Sequence, residues 1–215
     1  FLSFNFIINK SNFNIEYFHN AKIVKSKFPK THFKDDARLS NLVESVPYIN
    51  DNGFMLEFGV YSGKTINLIS KHFPNQKLYG FDSFEGLPEE WVLNKKKTIT
   101  RDHFNVKGNL PKVNENVTLI KGWFNDTLPQ FILEKNIDQI SYLHIDSDLY
   151  SSAKTIFDNL NSFITPGTII IFDELYPWHN YKWFTTWEEH EFKALKEWVE
   201  NYDRKFEVLH RSSHC

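Results

Sequence analysis

Residues 55–65 are Met55-Leu56-Glu57-Phe58-Gly59-Val60-Tyr61-Ser62-Gly63-Lys64-Thr65. The pattern is typical of a buried strand that ends in an acidic residue and is followed by a glycine-containing turn and a helix. Glycine permits a tight turn and a close backbone approach to a ligand, and a helix N-terminus presents free N–H groups. The segment therefore predicts a nucleotide-type site at the carboxyl end of a strand in an open α/β sheet.

Short apolar runs alternate with helical patterns around this turn. We expect strands at residues 54–58, 77–81, 117–121, 141–145, 168–172 and 206–209. We expect helices at residues 36–48, 64–72, 127–136, 152–163 and 188–202. This alternation predicts a doubly wound, Rossmann-like α/β fold with a mostly parallel sheet.

Two kinds of site fit the glycine turn. The first is a kinase phosphate-binding loop, because Gly63 precedes Lys64-Thr65 and because Asp173-Glu174 resembles an acidic metal-binding strand end. That loop has four residues between its glycines, whereas only Val60-Tyr61-Ser62 intervene here. The second is an S-adenosylmethionine site, which the spacing hydrophobic-Glu-x-Gly-x-x-x-Gly favours.

An acidic residue also ends the second expected strand of the core, in Gly80-Phe81-Asp82. One carboxylate at this place accepts hydrogen bonds from two neighbouring ribose hydroxyls. A dinucleotide-binding enzyme shares that acid but also requires Gly-x-Gly-x-x-Gly, which is absent from this turn. Asp82 alone fits a turn cap, but with Glu57, Gly59 and Gly63 it favours a cofactor ribose site.

Carboxylates follow two later strands: Asp146 and Asp148 after one, Asp173 and Glu174 after the next. Because strand ends meet in the ligand crevice of such a sheet, these four groups would repel one another unless protons or a cation intervene. Oxygen ligands suit a hard cation such as Mg²⁺. The sequence therefore predicts a metal site, with Asp146 and Asp173 as its strongest candidates.

Three positions near these strand ends have structural alternatives. Asp148 or Ser151 fits the cap of the following helix. His144 lies inside its strand and is interpreted as a packed core residue. The segment Lys121-Gly122-Trp123-Phe124 offers aromatic rings either for stacking on a purine or for packing.

The chain resembles the macrocin O-methyltransferase family in five segments that keep the family's order between residues 54 and 209. They are Leu56-Glu57-Phe58-Gly59-Val60-Tyr61-Ser62-Gly63-Lys64, Gly80-Phe81-Asp82-Ser83-Phe84-Glu85-Gly86-Leu87-Pro88, Lys121-Gly122-Trp123-Phe124, Ile145-Asp146-Ser147-Asp148-Leu149-Tyr150 and Phe172-Asp173-Glu174. The resemblance implies a class I methyltransferase fold, S-adenosylmethionine as methyl donor, and Mg²⁺-assisted methylation of a hydroxyl, often on a sugar.

The resemblance also implies roles for individual residues. Expected cofactor contacts are Glu57, Gly59 and Ser62 on the amino-acid part, Asp82 and Ser83 on the ribose, and Gly122 and Trp123 beside the adenine, with Tyr61 and Asp146 as further cofactor-binding residues. Expected Mg²⁺ ligands are Asp146, Asp173 and Glu174, and Asp146 is expected to take the hydroxyl proton. The family often has two aspartates at the last of these strand ends, so Glu174 departs from its pattern.

We expect a methyltransferase domain over residues 36–215. Residues 1–35 lie outside the resemblance, and their polar and aromatic composition predicts an irregular arm. Residues 87–116 have no clean period and are expected to form a lid-like insertion or a solvated loop. The family fold ends in two antiparallel strands. Since residues 206–209 can form the first and nothing after Cys215 can form the second, we expect a truncated last strand.

Composition limits the classes of function. The formal net charge of −2 argues against nucleic-acid binding by bulk charge, and no apolar run approaches the roughly 20 residues of a membrane span. The lone cysteine excludes a disulfide framework. We expect a cytoplasmic enzyme with a small-molecule or glycan acceptor, and its aromatic arm suggests a homo-oligomer. The alternatives are a P-loop-like small-molecule kinase and a catalytically inactive S-adenosylmethionine-binding domain.

Overall fold

The computed structural model describes residues 4–7, 18, 22–24, 36–175 and 183–212. The strands are β1 (Phe4–Ile7), β2 (Lys22–Val24), β3 (Phe54–Phe58), β4 (Leu78–Asp82), β5 (Trp91–Asn94), β6 (Lys97–Ile99), β7 (Val117–Lys121), β8 (Ile140–Ile145), β9 (Ile164–Phe172) and β10 (Glu207–Ser212). The α-helices are α1 (Asp36–Ser45), α2 (Lys64–Ser70), α3 (Phe124–Lys135), α4 (Tyr150–Leu160) and α5 (Glu191–Asn201).

One eight-stranded sheet has the order β2-β10-β1-β9-β8-β3-β4-β7. Its centre is parallel: Leu56 of β3 lies between Tyr79 of β4 and Leu143 of β8. All six residues of β8 are buried, as expected for a strand that is covered on both faces. The predicted doubly wound α/β fold is confirmed.

Helices cover both faces of this sheet. A large apolar core joins the sheet to α3, α4 and α5 through residues such as Phe131, Phe157 and Trp198. A second core joins the opposite face to α1 and α2 through Leu42 and Ile66. None of the described helices has the length and hydrophobicity that crossing a bilayer requires.

The N-terminal residues differ from the irregular arm that the sequence predicts. β1 lies antiparallel between β9 and β10, where Phe4 is opposite both Phe172 and Arg211. β2 adds a parallel strand on the outer side of β10. Among the described residues, the antiparallel neighbour of β10 is β1, from the N-terminal part of the chain. The two strands are only four and three residues long, which is too short for an alternating hydrophobic pattern to identify them in the sequence.

Residues 87–116 are largely docked on the domain. β5 and β6 form an antiparallel hairpin, and the amide of Leu87 donates to the Arg101 carbonyl at its base. Near the end of the insertion, the Asn116 side chain donates to the carbonyls of Ser70, Phe73 and Gln76 after α2. These hydrogen bonds hold both ends of the insertion against the domain.

Candidate active site

A pocket of about 340 Å³ lies at the carboxyl ends of β3, β4 and β8. Small-molecule sites typically measure roughly 300–1,000 Å³. The predicted site residues that line it are Gly59, Tyr61, Asp82, Ser83, Trp123, Asp146 and Glu174. The predicted residues outside its lining are Glu57, Ser62, Gly122 and Asp173. The fold thus brings most of the predicted cofactor and acidic residues to one cavity.

Gly59 lies where the turns after β3 and β8 come closest. Its φ is +92°, and a Cβ placed on it would lie 1.8 Å from the Asp146 carbonyl oxygen. Its amide donates to the Phe81 carbonyl (2.9 Å), and the Asp146 amide donates to the Phe58 carbonyl (2.9 Å). Only glycine combines this conformation with this contact, so Gly59 brings the turn up to Asp146.

Asp82 holds the glycine turn through its carboxylate. Oδ2 accepts the amides of Val60 (2.8 Å) and Tyr61 (2.7 Å), and Oδ1 accepts the amide of Phe84 (2.7 Å). In a phosphate-binding loop, amides of this kind point at an anion that the protein does not supply. Here an internal carboxylate takes that place. The geometry therefore disfavours the kinase alternative.

Glu57 lies beneath the turn and is 1% exposed. Its Oε1 accepts the Thr65 hydroxyl (2.8 Å), and its Oε2 lies 3.0 Å from Nδ1 of His144. Both carboxylate oxygens are thus held by protein groups outside the pocket lining. The structure places Glu57 as a support of the turn, and its predicted contact with the cofactor stays a prediction.

The remaining predicted cofactor residues divide between the pocket and its surroundings. Ser83 lines the pocket, and its hydroxyl donates to the Gly86 carbonyl (2.8 Å) and accepts the Glu85 amide (3.1 Å). Trp123 lines it at the start of α3, whereas Gly122 lies behind it with its amide on the Asp82 carbonyl. Ser62 is exposed outside the lining. Trp123 and Phe124 are thus the aromatic residues that line the cavity at this position.

Two groups of possible metal ligands share Asp146. Ligand atoms of Asp146, Asp148 and Glu174 lie within 4.8 Å of one another, and so do those of Asp146, His144 and Asp173. The predicted ligands are therefore adjacent, but they belong to two groups. The first group is all oxygen and borders the pocket, and Oε2 of Glu174 is buried without a hydrogen-bond partner among the described residues. This donor set fits a hard divalent cation.

Burial and mutual repulsion shape the electrostatics of this group. Burial raises the pKa of Glu174 well above its usual range, and the charges of Asp173, Asp148, Asp146 and Glu191 raise it further. Burial also raises the pKa of Glu191 from 4.5 to about 7, although hydrogen bonds from Ser147 and Asp148 oppose the shift. The carboxylates therefore compete for protons unless a cation neutralises them.

His144 couples the glycine turn to the acidic residues. Burial lowers its pKa, but the hydrogen bond to the Glu57 carboxylate and the charges of Glu57, Asp146 and Asp173 outweigh burial and raise the pKa overall. His144 is fully buried, as expected for a core residue. Its Nδ1 lies 3.0 Å from Oε2 of Glu57, and a ring nitrogen lies within 4.8 Å of carboxylate oxygens of Asp146 and Asp173.

The insertion forms an apolar wall of the pocket, and residues 183–190 pack against the insertion. Trp91, Leu93 and Phe184 pack together with Leu87 and Leu149. The Asn94 side chain donates to the Trp183 carbonyl (2.6 Å), and the Thr185 amide donates to the Leu93 carbonyl (2.8 Å). Leu87, Trp91 and Phe104 line the cavity itself. This wall suits an apolar or ring-shaped molecule next to the acidic group.

Sequence reasoning missed Glu191 and left two interpretations of Asp148 open. The helix-cap interpretation of Asp148 is not supported, because α4 is preceded by Leu149 and has no side-chain cap. Asp148 has a φ of +63° and lines the pocket, and the signal for it was its place at a strand end. Glu191 lies 44 residues after Ser147, whose amide it accepts, and no local pattern marks it.

The model of the Macrocin-O-methyltransferase (TylF) family matches residues 32–205. Demethyldecarbamoylnovobiocin O-methyltransferase of Streptomyces niveus is 27% identical over 162 residues. 8-Demethyl-8-(2,3-dimethoxy-alpha-L-rhamnosyl)-tetracenomycin-C 4'-O-methyltransferase of Streptomyces olivaceus is 27% identical over 159 residues. Each match covers 64% of this chain and 59% of the relative, so the chain spans about three fifths of the length of these relatives.

Solved methyltransferase structures share the fold. The calicheamicin methyltransferase CalS11 has a TM-score of 0.60 at 22% identity, over 83% of this chain and 80% of its own. The O-methyltransferase NovP has a TM-score of 0.53 at 20% identity, over 81% of this chain and 80% of its own. The family match spans most of the sequence and includes every motif segment named above. The chain belongs to the macrocin-O-methyltransferase (TylF) family.

Proposed function

We propose that this protein is an S-adenosylmethionine-dependent, Mg²⁺-assisted O-methyltransferase that acts on a hydroxyl of a sugar or of a glycosylated small molecule. The observation that carries the proposal is one pocket with two unlike sides. The glycine turn and Asp82 form one side, and Asp146, Asp148 and Glu174 form the other. A methyl donor and an acidic group for activating a hydroxyl thus have adjoining places.

The relatives support the reaction and the class of acceptor. Both curated relatives are O-methyltransferases, and the name of one contains a rhamnosyl group. The apolar wall of Leu87, Trp91 and Phe104 suits the face of a ring beside the carboxylates. These features favour a ring-bearing acceptor with a free hydroxyl.

The donor side is rigid because its backbone is held by internal hydrogen bonds. Asp82 fixes the amides of Val60 and Tyr61, and Glu57 fixes Thr65 at the start of α2. S-adenosylmethionine supplies an electrophilic methyl group when it is bound. The Trp123 ring and Ser83 line the cavity beside Asp82, where they would border the base and the ribose. Such pre-set positions align donor and acceptor, which supplies much of the rate increase in a displacement reaction.

The acidic side would bind the cation and accept the proton of the acceptor hydroxyl. Asp146, Asp148 and Glu174 would bind Mg²⁺, with Asp173 adjacent to Asp146. The bound cation would lower the pKa of a hydroxyl that it contacts. Asp146 is partly exposed in the pocket, and its carboxylate would accept the hydroxyl proton as the oxygen–methyl bond forms. The apolar wall of Leu87, Trp91 and Phe104 would limit the access of water to this side of the pocket.

The test is a binding and turnover experiment on the wild-type chain and two variants. Calorimetry with S-adenosylhomocysteine, with and without Mg²⁺, measures donor binding, and ATP serves as the competing ligand. Mass spectrometry then detects methyl transfer from S-adenosylmethionine to a panel of sugars and glycosides. We expect Asp146→Asn to lower kcat by about 10²-fold or more while donor binding persists. Asp158→Asn, on the exposed side of α4, is the matched control and should retain activity.

The outcomes separate the alternatives. Binding of ATP without S-adenosylhomocysteine would restore the kinase interpretation. Binding of S-adenosylhomocysteine without methyl transfer to any acceptor would support the inactive cofactor-binding domain. Full turnover of Asp146→Asn would refute its role as the base.

A further inference from the structure

Glu191 makes an unusual set of contacts for the first residue of a helix. Its side chain is 1% exposed, and Oε1 accepts three hydrogen bonds from a single turn. The donors are the Ser147 amide (3.0 Å), the Asp148 amide (3.1 Å) and the Ser147 hydroxyl (3.2 Å). A carboxylate with several charge-assisted hydrogen bonds fixes its donors more firmly than a neutral acceptor does.

The turn that Glu191 contacts follows β8 and carries the two acidic residues Asp146 and Asp148. Asp148 has a φ of +63°, a left-handed conformation that is unfavourable for a residue with a side chain. The Leu149 amide donates to the Ser147 carbonyl at 2.7 Å, which tightens the turn further. The amides of Ser147 and Asp148 both donate to Glu191 of α5, so the acceptor that satisfies this turn comes from another element.

We propose that Glu191 is a positioning residue that holds the Ser147–Asp148 turn in its left-handed form and thereby places Asp148 beside Asp146 and Glu174. The inference rests on the proposed function for its chemical meaning, since that function needs the three carboxylates together. Glu191 does not line the pocket, so it acts through the turn and not on substrate.

The position of Glu191 depends on the apolar wall. Residues 183–190 precede it directly, and they dock on β5 through the Thr185 amide and the Thr186 hydroxyl. The His190 ring also lies 3.1 Å from the Val92 carbonyl. Residues 183–191 thus form one continuous segment that packs against the apolar wall and places the Glu191 carboxylate against the Ser147–Asp148 turn.

Two substitutions separate the acceptor role of Glu191 from its charge. Glu191→Gln keeps an oxygen that can accept the three hydrogen bonds, whereas Glu191→Ala removes it. Both remove the same negative charge from the acidic group. Glu189→Ala is the matched control, because Glu189 is two residues earlier and its exposed side chain pairs with Lys193 at 3.5 Å.

The first measurement is amide hydrogen exchange of the segment 146–149 in the metal-free chain, by NMR or mass spectrometry. We expect exchange at Ser147 and Asp148 to accelerate by about tenfold or more in Glu191→Ala and to stay near the wild-type rate in Glu191→Gln and Glu189→Ala. The second measurement is the affinity for Mn²⁺ by calorimetry, which we expect to fall about tenfold in Glu191→Ala and to be rescued in Glu191→Gln.

Wild-type exchange at Ser147 and Asp148 in Glu191→Ala would overturn the inference. Equal losses in the Gln and Ala variants would also overturn it, because charge and not hydrogen bonding would then be responsible. S-adenosylhomocysteine binding is measured in parallel on every variant. If wild-type protein binds S-adenosylhomocysteine while Glu191→Ala exchanges normally, only this inference fails; if wild-type protein binds none, the proposed function fails independently.

Discussion

The carboxylates on the two sides of the pocket have opposite environments. On the donor side, the Asp82 carboxylate accepts hydrogen bonds from three backbone amides. The Glu57 carboxylate accepts a hydrogen bond from the Thr65 hydroxyl and lies beside the His144 ring. On the acidic side, burial and like charges raise the pKa of Glu174 and Glu191. The carboxylates of the donor side therefore have their hydrogen bonds without a ligand. Those of the acidic side repel one another unless they bind protons or a cation. This difference predicts that replacing a carboxylate by its amide lowers stability on the donor side and raises it on the acidic side.

The largest effect is expected at the contact that joins the two sides. Gly59→Ala places a methyl group 1.8 Å from the Asp146 carbonyl oxygen, so backbone must move. We expect a loss of about 3 kcal/mol or more in the free energy of unfolding, measured by urea denaturation. Gly167→Ala is the control: Gly167 also has a positive φ, but its nearest neighbour would be 3.7 Å away. That variant should lose only about 1–2 kcal/mol, and an equal loss in both would contradict the packing argument.

The next effect compares one carboxylate from each side. Asp82→Asn replaces an acceptor of three amides by a group that also carries two donors, so we expect a loss of about 2–4 kcal/mol. Glu174→Gln removes a repelling charge from the acidic group and should raise stability in metal-free buffer by about 1 kcal/mol. Thermal denaturation measures both, and Glu174→Gln should also weaken Mg²⁺ binding. Destabilisation by both variants would refute the contrast between the sides.

The acidic side also predicts the pH dependence of stability. The pKa values of Glu174, Glu191 and His144 are all raised in the folded protein, so the folded state binds more protons than the unfolded state. The contribution of Glu191 to stability therefore falls as pH rises from about 4.5 to about 7. We expect urea denaturation of the metal-free protein to show this fall, and Mg²⁺ to offset it more at neutral than at acidic pH. Stability that rises over this window would show that the acidic side is not strained.

Residues in local sequence motifs were predictable, whereas residues whose contacts depend on distant packing were not. Glu57, Gly59 and Asp82 belong to local motifs in which strand, turn and residue type agree, so both the fold and the donor side were predictable. Asp146 and Glu174 were predictable because strand ends of a parallel sheet meet. Glu191 was not, because its contacts depend on how α5 packs against a turn 44 residues earlier. β1 was not, because four residues carry too little periodicity to distinguish a strand.

The smallest effects are expected from one serine on each side. The Ser83 hydroxyl is a donor to Gly86 and an acceptor from Glu85, so Ser83→Ala loses both bonds of its turn, and we expect a loss of about 1–2 kcal/mol. The Ser147 hydroxyl is one of three donors to Glu191, and the two amides remain after Ser147→Ala. That variant should lose less than about 1 kcal/mol. Chemical denaturation of the two variants beside wild type measures the difference. A larger loss at Ser147 would mean that the acidic side depends on side-chain hydroxyls and that its turn is not held mainly by backbone amides.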